Sequence, residues 1–268
     1  MLEIPKFENK RDLYDFLIEN KETLIAQKMN TVKFADGVGV SLETEKGSAN
    51  KAEPISNEKE IQVKAVINTT NLMDSHKDVH LPNIWKKSLK ENKRIMHIQE
   101  HQSSSFDKII SSGDDLRAYT KTMSWKSLGF NAEGNTQALV FDSTVKASRN
   151  KFMFDLYKDG HVDNHSVGMR YVKIAMAINS TDDEYMKEKA VWDKYYPEIA
   201  NNKEADNTGY FWAVTEAKVI EGSAVPMGSN PITPTLSTKN EPSNDTQKES
   251  REDTFDISQA ISKIEIKI

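Results

Sequence analysis

Six histidines lie between positions 76 and 165, and four of them fall between 76 and 101. His97-Ile-Gln-Glu-His101 matches the pattern H-x-x-E-H. On a helix that spacing puts two imidazoles on one face, where they could ligate zinc while Glu100 acts as general base. His76 and His80 repeat the interval. The flanks argue otherwise: alternation precedes the motif, Gln102-Ser-Ser-Ser105 follows it, and no third ligand stands out. The competing reading is a pair of half-exposed histidines with no metal role.

A second constellation centres on Ser166, in His161-Val-Asp-Asn-His-Ser-Val-Gly-Met-Arg170. A serine hydroxyl is a poor nucleophile at neutral pH and needs a base to take its proton. An imidazole titrates in the right range, and a third group must hold it in the correct tautomer. His97 and His101 are candidates for the base. His165 is a poor one, because adjacent strand residues point to opposite faces. Ser166 and Gly168, two apart, share a face, and a glycine there would let another backbone approach.

Bulk composition narrows the class. The 268 residues suffice for one sizeable domain plus tails, or two small domains. Only 37% are hydrophobic and 29% are charged, so part of the length reads as solvated tail. A net charge of −5 does not suit a general nucleic-acid binder. With no cysteine, disulfides, thiolate catalysis and Cys-ligated zinc are excluded. The first residues lack a basic stretch followed by an apolar one, and no apolar run approaches the roughly 20 residues of a membrane span. The expectation is a soluble, intracellularly made protein that binds neither membrane nor nucleic acid.

Periodicity then places the elements. Residues 10–29 read as one amphipathic helix, more consistent with docking on its own domain than with binding a partner. Residues 35–60 are a linker or loop, so residues 1–58 form an N-terminal helix and linker. Strands are predicted at 61–67, 94–101, 116–125, 137–142, 162–178 and 210–220, with a short helix near 84–90. A helix over 143–158 should present Phe152 and Leu156 on one face and stop at Gly160. Residues 179–207 read as a helical insertion carrying a Tyr185, Trp192, Tyr196 stripe. From 233 to 268 the chain reads as a disordered tail with a short terminal element.

Four stretches together resemble the tailed-phage prohead maturation proteases (HK97-type), relatives of the herpesvirus assemblin serine proteases. They are Asn71-Leu-Met-Asp-Ser-His-Lys-Asp-Val-His-Leu-Pro-Asn-Ile-Trp85, Ile98-Gln-Glu-His101, His165-Ser-Val-Gly-Met169 and Val219-Ile-Glu-Gly-Ser-Ala-Val-Pro-Met-Gly-Ser-Asn-Pro231. Their order and rough spacing agree with the family over about residues 59–232. Asn83, Trp85, Gly222 and Met227-Gly228 depart from its pattern. The resemblance implies an α+β protease domain over 59–232, built on a partly closed, mainly antiparallel β-barrel flanked by helices. It implies His101 as general base, Ser166 as nucleophile and Glu221 as the third member, with no cofactor. His97 would then be structural, and Asp74 and Asp78 would shape their loop rather than bind metal. Oxyanion donors are expected around Met169-Arg170. Expected substrates are scaffold and major capsid protein segments, and the protease itself, inside a prohead assembling in the host cytoplasm; self-association is possible. The Ser/Thr/Asn-rich tail would be a removable anchor. Two readings of other classes compete: a zinc metallopeptidase using His97, Glu100 and His101, and a non-catalytic capsid assembly or scaffold factor.

Overall fold

The computed structural model describes residues 2–31, 59–92 and 94–239. In chain order these form α1 (Lys10–Glu19), α2 (Lys21–Asn30), β1 (Glu60–Thr69), β2 (Asp78–His80), α3 (Lys86–Glu91), β3 (Met96–Gln99) and β4 (Ile109–Ser112). There follow β5 (Leu116–Ser124), β6 (Asn135–Lys146), α4 (Lys151–Lys158), β7 (His165–Ile178), α5 (Met186–Tyr195), α6 (Asn202–Thr208), β8 (Tyr210–Ala224) and β9 (Thr235–Lys239). The architecture is mixed α+β, with two sheets and six α-helices among the described residues. None of these helices is long and apolar enough to cross a membrane.

One sheet runs β5-β6-β1-β9, antiparallel throughout. The other runs β2-β8-β3-β4, with β7 also paired to β8. In that sheet β2 and β3 lie parallel to β8, while β7 is antiparallel to it. The expected α+β class is what the described residues show: their strands make two sheets and no closed barrel. The two sheets meet through side chains. Ile61, Val63, Ala65 and Ile67 of β1 share a core with Val167, Met169 and Tyr171 of β7 and with Val214 and Val219 of β8. Alternation accounts for this, since one face of β1 is committed to that core while Val66 turns to a second cluster with Trp125 and Val140. Each fully buried residue of this size adds roughly 1.5–3 kcal/mol.

The helices depart from the sequence pattern where capping overrides periodicity. The single helix expected over 10–29 is two, broken at Asn20, which caps α1 through its backbone N–H. Both dock on the domain, Leu17 and Leu24 packing with Met176, Ile178 and Trp212. The helix expected from Ser143 begins only at Lys151. Ser143, Thr144 and Val145 remain in β6, paired with Val63, Gln62 and Ile61. Asn150 then opens α4, its side chain accepting the Met153 N–H. The buried side of α4 is Met153, Phe154 and Tyr157, leaving Phe152 59% exposed. The tail expected from residue 233 does not start there: Thr233 is buried and β9 pairs with β1 as far as Lys239, and residues 240–268 lie outside the described residues. The expected linker, apart from its last two residues, and the expected terminal element lie outside the described residues.

A polar chain crosses the core beside β7. His165 Nδ1 lies 2.9 Å from the Thr233 carbonyl, which can only accept, so neutral His165 carries its proton there. Its Nε2 then accepts from the Tyr157 hydroxyl at 2.9 Å. The Tyr157 oxygen is 3.1 Å from His97 Nε2, and His97 Nδ1 is 2.9 Å from the Ser143 hydroxyl. One consistent set of protons satisfies every member with both rings neutral. Burial holds the His97 pKa well below its ordinary value and pushes that of His165 down to about 4.

These depressed values set the sign of an acid response. The unfolded chain takes up two protons near pH 6.5 that the folded chain refuses, so stability falls as pH drops from about 6.5 towards about 4. Asp74 opposes the trend by one proton, burial and the Asp78 charge having pushed its pKa up to about 6. Urea unfolding followed across that window should show stability declining by up to about 1.4 kcal/mol per pH unit for the net proton. A flat or rising profile would contradict neutral, buried rings.

Candidate active site

β8 lies between β7 and β3 over its last residues, and the site occupies one face of these three strands. Cross-strand pairs share a face, and the register pairs Ser166 with Ser223 and Gly168 with Glu221. On the opposite face Val167, Met169 and Tyr171 enter the core. In β8 the alternation is interrupted: Ala217 and Val219 face the core, and so does Ala224, although it is an odd number of residues further on. The break is a β-bulge. The register slips between Gly168/Glu221 and Met169/Val219, leaving Ile220 as the extra residue. That single residue turns Glu221 out of the core and onto the face of Ser166.

His101 reaches the same face from the turn after β3. The strand ends at Gln99, and Glu100 and His101 both adopt left-handed backbone, with φ of 51° and 58°. Such a conformation costs a non-glycine residue about 1–2 kcal/mol. Two backbone hydrogen bonds to β8 hold the turn: Glu100 N–H to the Ala224 carbonyl at 2.9 Å, and His101 N–H to Ser223 Oγ at 3.0 Å. From there His101 Nδ1 contacts Glu221 Oε1 at 2.6 Å. The second carboxylate oxygen accepts the Ser223 hydroxyl at 2.7 Å. Glu221 and Ser223 are fully buried, and Ser166 is 5% exposed.

Gly168 belongs to this arrangement. A Cβ built on it would lie 2.0 Å from Glu221 Oε1. The space that spacing alone assigned to an approaching backbone is taken by the carboxylate. Gly222, one of the departures from the resembled pattern, has a similar cause on the core side: a Cβ there would lie 2.5 Å from the Phe141 ring.

Of the residues singled out in the sequence, the fold brings His101, Glu221 and Ser166 to one sheet face. Cross-strand Cα atoms in an antiparallel ladder are about 4.5–5.5 Å apart, which seats Ser166 beside the residue that binds the His101 N–H. His165 points the other way, into the core network. His97 does too, with Ser143 and Tyr157 engaging its two nitrogens. The H-x-x-E-H segment is a strand running into a left-handed turn, so the helical geometry behind a zinc pair at His97 and His101 is absent. Met169 and Arg170, where oxyanion donors were expected, are ladder residues opposite Val219 and Lys218.

The loop before β2 gathers a different set. Asp74 Oδ1 accepts the N–H groups of His76 and Asp78, both at 2.9 Å, which folds the loop on itself. Asp74, His76 and Asp78 each offer a metal-ligand atom within 4.8 Å of the others. Asp78, however, is already engaged by the Lys28 ammonium of α2 and by the Tyr171 hydroxyl, the latter at 2.7 Å.

Ser223 and Gly168 have roles in the site that residue types did not announce. The signal for Ser223 was the spacing Glu221-x-Ser223, which sets two polar side chains on one strand face. No protein-family model, no curated protein and no solved structure matches this chain.

The clash at Gly168 gives a direct test of the arrangement. Gly168→Ala should displace the Glu221 carboxylate and lower stability by about 1–3 kcal/mol. A downfield proton resonance from His101 Nδ1–H, assigned with His101→Gln, should be present in the parent and lost in the variant. Retention of that resonance in Gly168→Ala would show that the carboxylate does not sit where described.

Proposed function

We propose that this chain is a serine endopeptidase of the prohead-maturation type, with Ser166 as nucleophile, His101 as general base and Glu221 as the group that orients the imidazole. The observation that carries the reading is the buried Glu221 carboxylate binding His101 Nδ1 on the same sheet face as Ser166. A carboxylate on Nδ1 keeps a proton on that nitrogen and makes Nε2 the basic one. Of the two serines on this face, Ser223 has its hydroxyl proton committed to Glu221 Oε2, which leaves the nucleophilic role to Ser166.

The chemistry follows as acyl transfer. His101 Nε2 takes the hydroxyl proton as Ser166 Oγ bonds to the carbonyl carbon of the scissile peptide. The imidazolium is stabilised by Glu221 and gives that proton to the departing amine as the C–N bond breaks. Water then repeats the sequence on the acyl-enzyme, releasing the acid and restoring Ser166. Backbone N–H groups would receive the oxyanion. The herpesvirus-protease-like fold and the substrates (capsid and scaffold protein segments within an assembling prohead, and the chain itself) rest on the resemblance of the four sequence stretches.

Wild type and Ser166→Ala should be expressed in full and compared by intact mass, with and without a small alkyl fluorophosphonate. The parent should truncate itself and gain one phosphonyl group, which peptide mapping places on Ser166; Ser166→Ala should do neither. His101→Ala should slow reaction by about 10⁴-fold or more, and Glu221→Gln by on the order of 10³–10⁴. Unchanged processing by Ser166→Ala would overturn the reading in favour of an assembly factor or an external protease. Arrest by a chelator with Ser166→Ala active would favour a metallopeptidase.

A further inference from the structure

The geometry assigns to Ser223 the part of a positioning residue: its hydroxyl locks the His101 turn and the Glu221 carboxylate into one rigid unit. This inference rests on the peptidase reading and adds to it a fourth side chain that touches neither substrate nor the reacting bond. The hydroxyl has one proton and accepts through its lone pairs. The proton goes to Glu221 Oε2 at 2.7 Å, and the oxygen accepts the His101 N–H at 3.0 Å. With Ser223 fully buried, water is not at hand to replace either partner.

Each bond supplies something the site needs. His101 sits in left-handed backbone directly after Glu100 in the same conformation, so its N–H has no place in a regular ladder. The Ser223 oxygen gives that N–H a buried acceptor and sets where the imidazole begins. The carboxylate could otherwise rotate about its last side-chain bonds. Held by Ser223 at Oε2, and with the absent side chain of Gly168 leaving room at Oε1, it presents Oε1 to Nδ1 at 2.6 Å. Backbone and side chain of the same histidine are thereby referred to one hydroxyl.

Ser223→Ala, Ser223→Cys and Ser223→Thr test this in the full chain. Alanine removes the hydroxyl, cysteine fills the space with a weak donor, and threonine keeps the hydroxyl. The readouts are the second-order rate of Ser166 modification by a small alkyl fluorophosphonate as a function of pH, the His101 Nδ1–H resonance, and the melting temperature. Alanine and cysteine should slow modification by about 10–100-fold, consistent with loss of one positioning contact. Their rate profiles should differ from the parent's on the acid limb, because the carboxylate that orients the imidazole is less well placed. Their His101 resonance should shift or broaden, and threonine should restore rate and limb together.

Folded alanine and cysteine variants with parental rate, parental acid limb and unchanged resonance would overturn the positioning role while leaving the peptidase reading intact. If the melting temperature falls but the limb and resonance stay put, the hydroxyl is structural only and the inference fails. Absence of Ser166 modification in the parent would remove the peptidase reading itself, and this role with it. Should alanine not fold, the cysteine and threonine pair carries the same comparison.

Discussion

A fully buried carboxylate in the middle of a β-sheet is the constraint to which the surrounding structure answers. Glu221 has no exposure, and its two oxygens are met by the His101 imidazole and the Ser223 hydroxyl. Leaving either oxygen without its partner costs about 1–3 kcal/mol or more, because a buried acceptor is then stranded away from water. The neighbouring residues read as accommodations to that group. Gly168 gives up its side chain, β8 takes an extra residue at Ile220, and the turn after β3 accepts two left-handed residues.

The two faces of β7 divide the work by alternation. His165 faces the core and joins Tyr157, His97 and Ser143, while Ser166 faces Ser223 and the acid–imidazole pair. Thr233 ties the chain that follows β8 to His165 through three hydrogen bonds: its hydroxyl donates to the His165 carbonyl and accepts its N–H, and its carbonyl meets Nδ1. The residue before the candidate nucleophile is thus held on the core side by α4, just before it in the chain, and by Thr233, 68 positions further on. Such a frame suits a site whose chemistry depends on atoms held within a few tenths of an ångström. On the far half of β7 and β8 the helices α1 and α2 cover Met176, Ile178 and Trp212, and Lys28 carries that contact through to Asp78.

Much of the fold could be read along the chain. The alternation of Ile61, Val63, Ala65 and Ile67 marks β1, and the run through Ser166 marks β7. Boundaries were less visible wherever a local polar group competed with apolar spacing. Asn20 splits one amphipathic pattern into two helices, and Asn150 delays α4 by favouring a cap over helix interior. The Ser/Thr composition around Thr233 resembles a tail, yet those hydroxyls find buried partners in His165 and Val162, so the segment stays in the fold.

By itself the sequence determined which side chains were available for acid–base and nucleophilic chemistry, which segments alternate, and that His165 must turn away from Ser166. Side-chain direction in a strand follows from backbone geometry, so neighbours along the chain suffice for those statements. Only the tertiary structure decided that Glu221 faces the site and not the core. The bulge at Ile220 is a register choice made between β7 and β8, where a slip of one residue reverses every side chain beyond it. It is stabilised by packing of Val219 in the core and of Gly222 against Phe141 and Ile67. Likewise, the motif His97-Ile-Gln-Glu-His101 could become a helix or a strand ending in a turn. The β8 partners of Glu100 and His101 decided it, contributed by residues more than 120 positions away.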